Sequence, residues 1–168
     1  MKKYLLLSIV VCAVNMLSAQ KFGYVNSQEL LVSLPQIKTA DTEIETFQKS
    51  LMEKGQKMVT EFEAEYKAYM EEANKGLISK VQMQQKEEVL TGKQQAIQSF
   101  EQDVQAQLTT KRELLYKPIL DKVTSTIKSY GKTNGYTLIF DSSTGNILHA
   151  LDTDNLFEQI KAELLKTN

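Results

Sequence analysis

From residue 37 onward, apolar side chains return at intervals of seven. Ile37, Ile44, Leu51 and Met58 hold one position of the repeat and Ala40 and Phe47 the position between. Phe62, Tyr66, Tyr69 and Ala73 carry the stripe onward. Nearly everything else in this stretch is Glu, Lys, Gln or Thr. A stripe this narrow is the seam of a coiled coil rather than the broad buried face of a globular helix. About 39 residues at a rise of ~1.5 Å predict a rod roughly 58 Å long. Asn74-Lys75-Gly76 then breaks the pattern and predicts a hairpin tip. A second rod follows on Met83, Leu90, Ile97 and Val104, again at sevens, joined by Phe100 and Leu108. Its seam is weaker. Lys86, Lys93 and Gln94 stand where apolar residues would suit, and Gly92 costs about 1 kcal/mol relative to alanine. The second helix is therefore expected to bend. Two rods of similar length joined by a short turn pair antiparallel. Pro118 should interrupt or kink the second rod, which resumes on Ile119, Val123 and Ile127 and is expected to end near Gly131.

At the two ends of the chain the period changes. Lys21 to Val25 place Phe22 and Tyr24 on one side of a half-buried strand. Residues 27–34 suit one or two helical turns, and Pro35 fits the first turn of the long helix. Gly135 opens a second strand, residues 136–140. A turn at 141–146 and a third strand, residues 147–151, complete a hairpin. Asp152 or Asp154 is the expected cap of a last helix, whose stripe is Leu156, Phe157, Ile160, Leu164 and Leu165. The order is β, long α-hairpin, β-hairpin, α. This is an α+β fold: a coiled-coil arm, residues 36–117, inserted in a small three-stranded β body with a C-terminal helix, residues 20–35 and 118–168. Three strands and a short helix make a thin core, so self-association is expected.

The first residues are read as something other than mature protein. Lys2 and Lys3 precede an apolar run from Tyr4 to Val14, and Ser18-Ala19 precede Gln20. A charged start, a short apolar core and a small-residue site describe a cleaved signal peptide, residues 1–19. An uncleaved anchor would want a longer core. A lipid anchor on Cys12 would want a small residue where Val10 and Val11 stand. Cleavage removes Cys12, the only cysteine, and with it any disulfide, thiol nucleophile or thiolate metal site. Losing Lys2 and Lys3 takes the net charge from −1 to −3, a poor balance for general nucleic-acid binding. No later apolar run is long enough to span a bilayer, so the expected product is exported, without stable membrane insertion.

Little in the chain promises chemistry. His149 is the only histidine, so multi-histidine metal motifs are absent from the sequence. It is read as a strand side chain at the body. Asp141, Ser142 and Ser143 have the composition of a turn. Glu61, Glu63, Glu65, Glu71 and Glu72 fall on several helix faces near Lys57, Lys67 and Lys75, as a solvated exterior would. No catalytic, cofactor or metal site is expected. The adaptable and amphipathic residues of the distal arm are more informative: Met52, Tyr66, Tyr69, Met70 and Met83 are the candidate contact residues. Tyr66, Tyr69 and Met83, with Met58, also fit the seam. Met52 and Met70 lie beside it.

Residues 22–31 (Phe-Gly-Tyr-Val-Asn-Ser-Gln-Glu-Leu-Leu), followed by Leu34-Pro35, resemble the opening strand and helix entry of the Skp/OmpH family. Pro118 to Val123 is similar to the point where the family's returning helix rejoins its body. The most specific stretch is Gly135 to Ser143, with Ile147-Leu148-His149-Ala150 after it. The resemblance implies a periplasmic homotrimer of a Gram-negative bacterium, jellyfish-like, with three arms around a cavity. It implies an ATP-independent holdase that binds unfolded outer-membrane β-barrel proteins, without enzyme activity or cofactor. The thin body itself is expected to carry the self-association, at Phe22, Tyr24, Tyr136, Leu138, Phe140 and Ile147. Two features depart from the family. His149 stands where many relatives have Tyr. From Glu53 to Lys80 there are six acids and five bases, so the cationic-arm contact with lipopolysaccharide does not carry over. The rival reading is an exported coiled-coil adaptor with one folded partner.

Overall fold

The structure, a computed structural model, describes residues 20–166. The expected signal peptide and Cys12 lie outside the described residues. Two compact units divide the chain. One combines the segment ending at Leu34 with the segment from Leu120 onward, and the other is Pro35–Ile119.

In the first unit β1 (Lys21–Val25) lies parallel to β2 (Tyr136–Asp141), with Phe22 opposite Leu138 and Tyr24 opposite Phe140. Parallel neighbours need a long crossover, and everything between the two strands supplies it. Asn26 starts α1 (Ser27–Val32) by accepting a hydrogen bond from the Glu29 amide at 3.0 Å. Alternation turns Gly23 and Val25 inward. Val25, Leu30, Leu156, Ile160 and Leu164 are the fully buried side chains, each contributing about 1.5–3 kcal/mol. Gly23 is required for that packing, since a Cβ there would meet Leu156 Cδ1 at 2.5 Å. The last helix, α4 (Phe157–Lys166), turns Ile160 and Leu164 inward.

The expected third strand does not form. Among the described residues the sheet has two strands, and residues 146–151 pair with neither. The reason lies at the end of β2. Asp141 accepts hydrogen bonds from the Ser27 amide (3.1 Å), the Ser27 hydroxyl (2.5 Å) and the Ser143 amide (2.9 Å). The chain is thereby held toward α1 instead of doubling back along β2. It reaches the far side of β1, where Asn155 bridges Tyr24 and the Leu156 amide donates to the Tyr24 carbonyl at 2.8 Å. The cap of α4 also differs. Asn155 accepts from the Phe157 amide at 3.0 Å, while Asp152 and Asp154 belong to a short 3-10 turn.

Partial burial pushes the Asp141 carboxyl up. The Ser27 hydroxyl and the Ser143 and Ser27 amides together outweigh it and hold the group at about 2. A lowered folded-state value stabilises the fold above the unfolded carboxylate range, near 4, and that contribution disappears as pH falls toward 2. Asp141→Asn should therefore lower stability at pH 7 by about 1–2 kcal/mol. Urea midpoints of the two proteins should converge as pH drops from 4 to 2; a constant difference across that window would contradict the assignment.

The second unit is a helical hairpin of α2 (Pro35–Asn74) and the part of α3 (Lys80–Thr133) that precedes Leu120. Gly76 takes a φ of 67° at the tip. Its amide returns to the Ala73 carbonyl and that of Leu77 to Glu72, which closes α2. Ser79 and Gln82 then form a reciprocal capping box: the Ser79 amide donates to the Gln82 side chain, and the Gln82 amide to the Ser79 hydroxyl. The seam residues buried here are Ala40, Ile44, Leu51 and Tyr69 on α2, and Leu90 and Leu108 on α3. Pro118 neither ends nor interrupts α3, which closes at Thr133, near Gly131 as expected. No helix among the described residues is long and apolar enough to cross a membrane.

Lys86 and Lys93, read as defects of the seam, prove to flank it. Lys86 pairs with Glu72, Lys93 with Glu65 at 2.5 Å, and Lys111 with Glu43 at 3.2 Å. In each case a lysine of α3 reaches a glutamate of α2. Partly exposed pairs contribute at most about 1 kcal/mol each, so they fix the register of the two helices more than they add stability.

Candidate interaction surfaces

Along the hairpin, the heptad repeat leaves a second row beside the seam. Met52, Val59 and Tyr66 are seven apart on α2, and Met70 lies one turn beyond. Met52 is 67% exposed, Met70 39%, and Tyr66 is exposed as well. Tyr66 stacks on Phe62, the ring centres 6.1 Å apart. Met52 borders a groove of about 340 Å³ that Leu51, Gly55, Val59, Ile97 and Phe100 also line. Gly55 opens this groove, because a Cβ there would stand 3.2 Å from Phe100 Cε1. The Lys54 ammonium lies 5.0 Å from the centre of the Phe100 ring. Phe100 thus continues the spacing of Lys86 and Lys93 with a cation–π contact in place of an ion pair.

Tyr69 and Met83 are placed differently. Tyr69 is buried in the seam and its hydroxyl donates to Glu87 at 2.5 Å. That bond raises the phenol above its usual value, with burial and the Glu87 charge adding to the effect. Tyr116 makes the same kind of link to Asp41 near the other end of the hairpin, at 2.6 Å, and is raised chiefly for the same reason. Met83 is half-buried. Of the five candidate contact residues, Met52, Tyr66 and Met70 face solvent and two do not. Sequence reasoning missed Leu77 and Val81 at the tip and Val89 on α3, all exposed. Their signal was an apolar residue outside the heptad stripe.

In the strand unit, Phe22, Tyr24, Leu138 and Phe140 share one face of the sheet, as the register requires. It is the outer face: Phe22 is 42% exposed, Leu138 52% and Phe140 48%. Phe22 and Phe140 touch across the strands with ring centres 6.4 Å apart. The half-buried side expected for Phe22 is instead that of Gly23 and Val25. Tyr136 leaves the group, because a register shift beside it puts its Cε1 3.0 Å from where a Gly23 Cβ would sit. Its ring also carries the Lys21 ammonium at 4.1 Å. Ile147 is half-buried in the unpaired segment, next to Leu148 at 97% exposure. β2 has its second edge free of pairing among the described residues.

His149 is exposed in that segment. The Ser27, Asp141 and Ser143 cluster is a structural clasp in which the serines donate to a carboxylate. Among the described residues no group of His, Cys, Asp and Glu is arranged to hold a metal ion.

The fold defines a class: a protein with a long helical hairpin and a small strand pair in one chain. The sequence profile of the family described as outer membrane protein (OmpH-like) matches residues 21–164, and the chain belongs to that family. The crystal structure of a candidate outer membrane chaperone (OmpH-like) from Caulobacter crescentus CB15 is similar to this one. Its TM-score is 0.73 at 16% identity, over 88% of this chain and 85% of that one; likeness at this identity concerns the fold. Comparison with curated proteins gave no match.

Proposed function

We propose that the chain, after loss of residues 1–19, is an ATP-independent periplasmic holdase. In this reading it assembles as a homotrimer and holds unfolded outer-membrane β-barrel proteins between its helical hairpins. The observation that carries the reading is family membership across residues 21–164. The surfaces support it. Phe22, Leu138 and Phe140 form an uncovered apolar face beside an unpaired strand edge, and a second copy would bury both. On the hairpin, Met52, Tyr66 and Met70 stand exposed among Glu, Lys and Gln. Weak apolar contacts spread along three hairpins would hold a client by avidity without selecting one pose. Release then needs only a better sink, such as a barrel folded in lipid.

The test is suppression of aggregation. A urea-unfolded β-barrel protein diluted into buffer should stay soluble at near-stoichiometric trimer. Aggregation at the rate seen without the protein would overturn the reading, and binding of a single folded partner instead would identify an adaptor.

A further inference from the structure

The sequence contains six methionines, and the four after the expected signal peptide (Met52, Met58, Met70 and Met83) all lie on the hairpin. The strand unit has none among its described residues. Cys12 is the only cysteine, so from residue 20 onward these thioethers are the only sulfur in the chain. They are also graded by exposure. Met52 is 67% exposed and Met70 39%, whereas Met58 and Met83 are half-buried. The two most exposed of these methionines belong to the row that the holdase reading assigns to clients, and Met52 sits at the rim of the groove over Phe100.

We infer that Met52 and Met70 are oxidation sites, and that their conversion to the sulfoxide weakens the hairpin's hold on unfolded chains. This inference rests on the holdase reading. The oxidant is a peroxide. Its oxygen is attacked by the thioether sulfur, forming an S–O bond as the O–O bond breaks. Sulfur gives up two electrons, and the peroxide's other oxygen takes up the proton and departs, as water when the oxidant is hydrogen peroxide. The product replaces a flexible apolar group with a strong dipole, which favours water over an apolar client side chain. Seam residues keep their packing, so the hairpin itself survives. The change is reversible by an enzyme that reduces methionine sulfoxide.

The experiment exposes the full processed protein to hydrogen peroxide, maps each methionine by peptide mass over time, and measures aggregation suppression in the same samples. Met52 should oxidise at least about threefold faster than Met58 or Met83, with Met70 between. The protein concentration needed for half-suppression should rise about threefold as Met52 and Met70 convert, and return after treatment with a sulfoxide reductase. For Met52→Leu/Met70→Leu, whatever its half-suppression concentration before peroxide, that concentration should not rise on the same treatment. Equal oxidation rates at all four positions would overturn the inference, as would full conversion of Met52 and Met70 with suppression unchanged. An untreated protein that fails to suppress aggregation is a separate result; it sinks the holdase reading and the switch together.

Discussion

Ile160→Ala is expected to destabilise the strand unit by about 2–5 kcal/mol, the range for emptying a filled aliphatic site. Ile160 has no exposed surface and sits with Leu156, Leu164, Leu30 and Val25 in a core of few residues. Neighbours cannot close the space, because Gly23 already brings β1 against Leu156. A core this small has little stability in reserve. The urea midpoint of the variant should fall sharply, with loss of near-native helix content at lower denaturant. A midpoint within about 0.5 kcal/mol of the parent would mean that the unit is held together elsewhere.

Leu138→Asp/Phe140→Asp should act in the opposite manner, leaving the single chain folded and abolishing the proposed assembly. Both side chains are about half exposed in the isolated chain, so charges there cost little within one copy. If copies meet on this face, the carboxylates enter an apolar contact without partners. Association should weaken at least about 100-fold, equivalent to roughly 3 kcal/mol. Sedimentation at micromolar protein should give a monomer with the parent's circular dichroism. An unchanged oligomer would place the interface on another surface.

Much of this architecture was legible because its rules are local. Ile44, Leu51 and Leu90 announce a helix seam by spacing alone, and the residues 136–140 announce a strand by composition. Gly76 marks the tip by turn chemistry. What the chain concealed depends on partners distant in sequence. Lys86 and Lys93 read as flaws in the seam until Glu72 and Glu65 stand opposite them on the other helix. Ile147 to Leu151 has the composition of a strand, but pairing is decided by Asp141 turning to Ser27 and Asn155 reaching Tyr24. Pro118 breaks one hydrogen bond of α3, and the helix tolerates the loss.

The contact residues were legible only in part, for a related reason. Methionine and tyrosine serve equally as seam and as surface, and period cannot separate the two uses. Tyr66 and Tyr69 are three apart on one helix, yet one is exposed and the other is buried against Glu87. Exposure had to come from the packed hairpin. The same holds for the sheet, where alternation grouped Phe22 with Tyr24 but gave no sign of which face Gly23 would close.

Native mass spectrometry of the processed protein, alone and after mixing with an unfolded β-barrel protein, bears most directly on the central claim. The expected spectrum is a trimer that gains the mass of one client while remaining three chains. A monomer in both samples, or a trimer that leaves the client to aggregate, would contradict it.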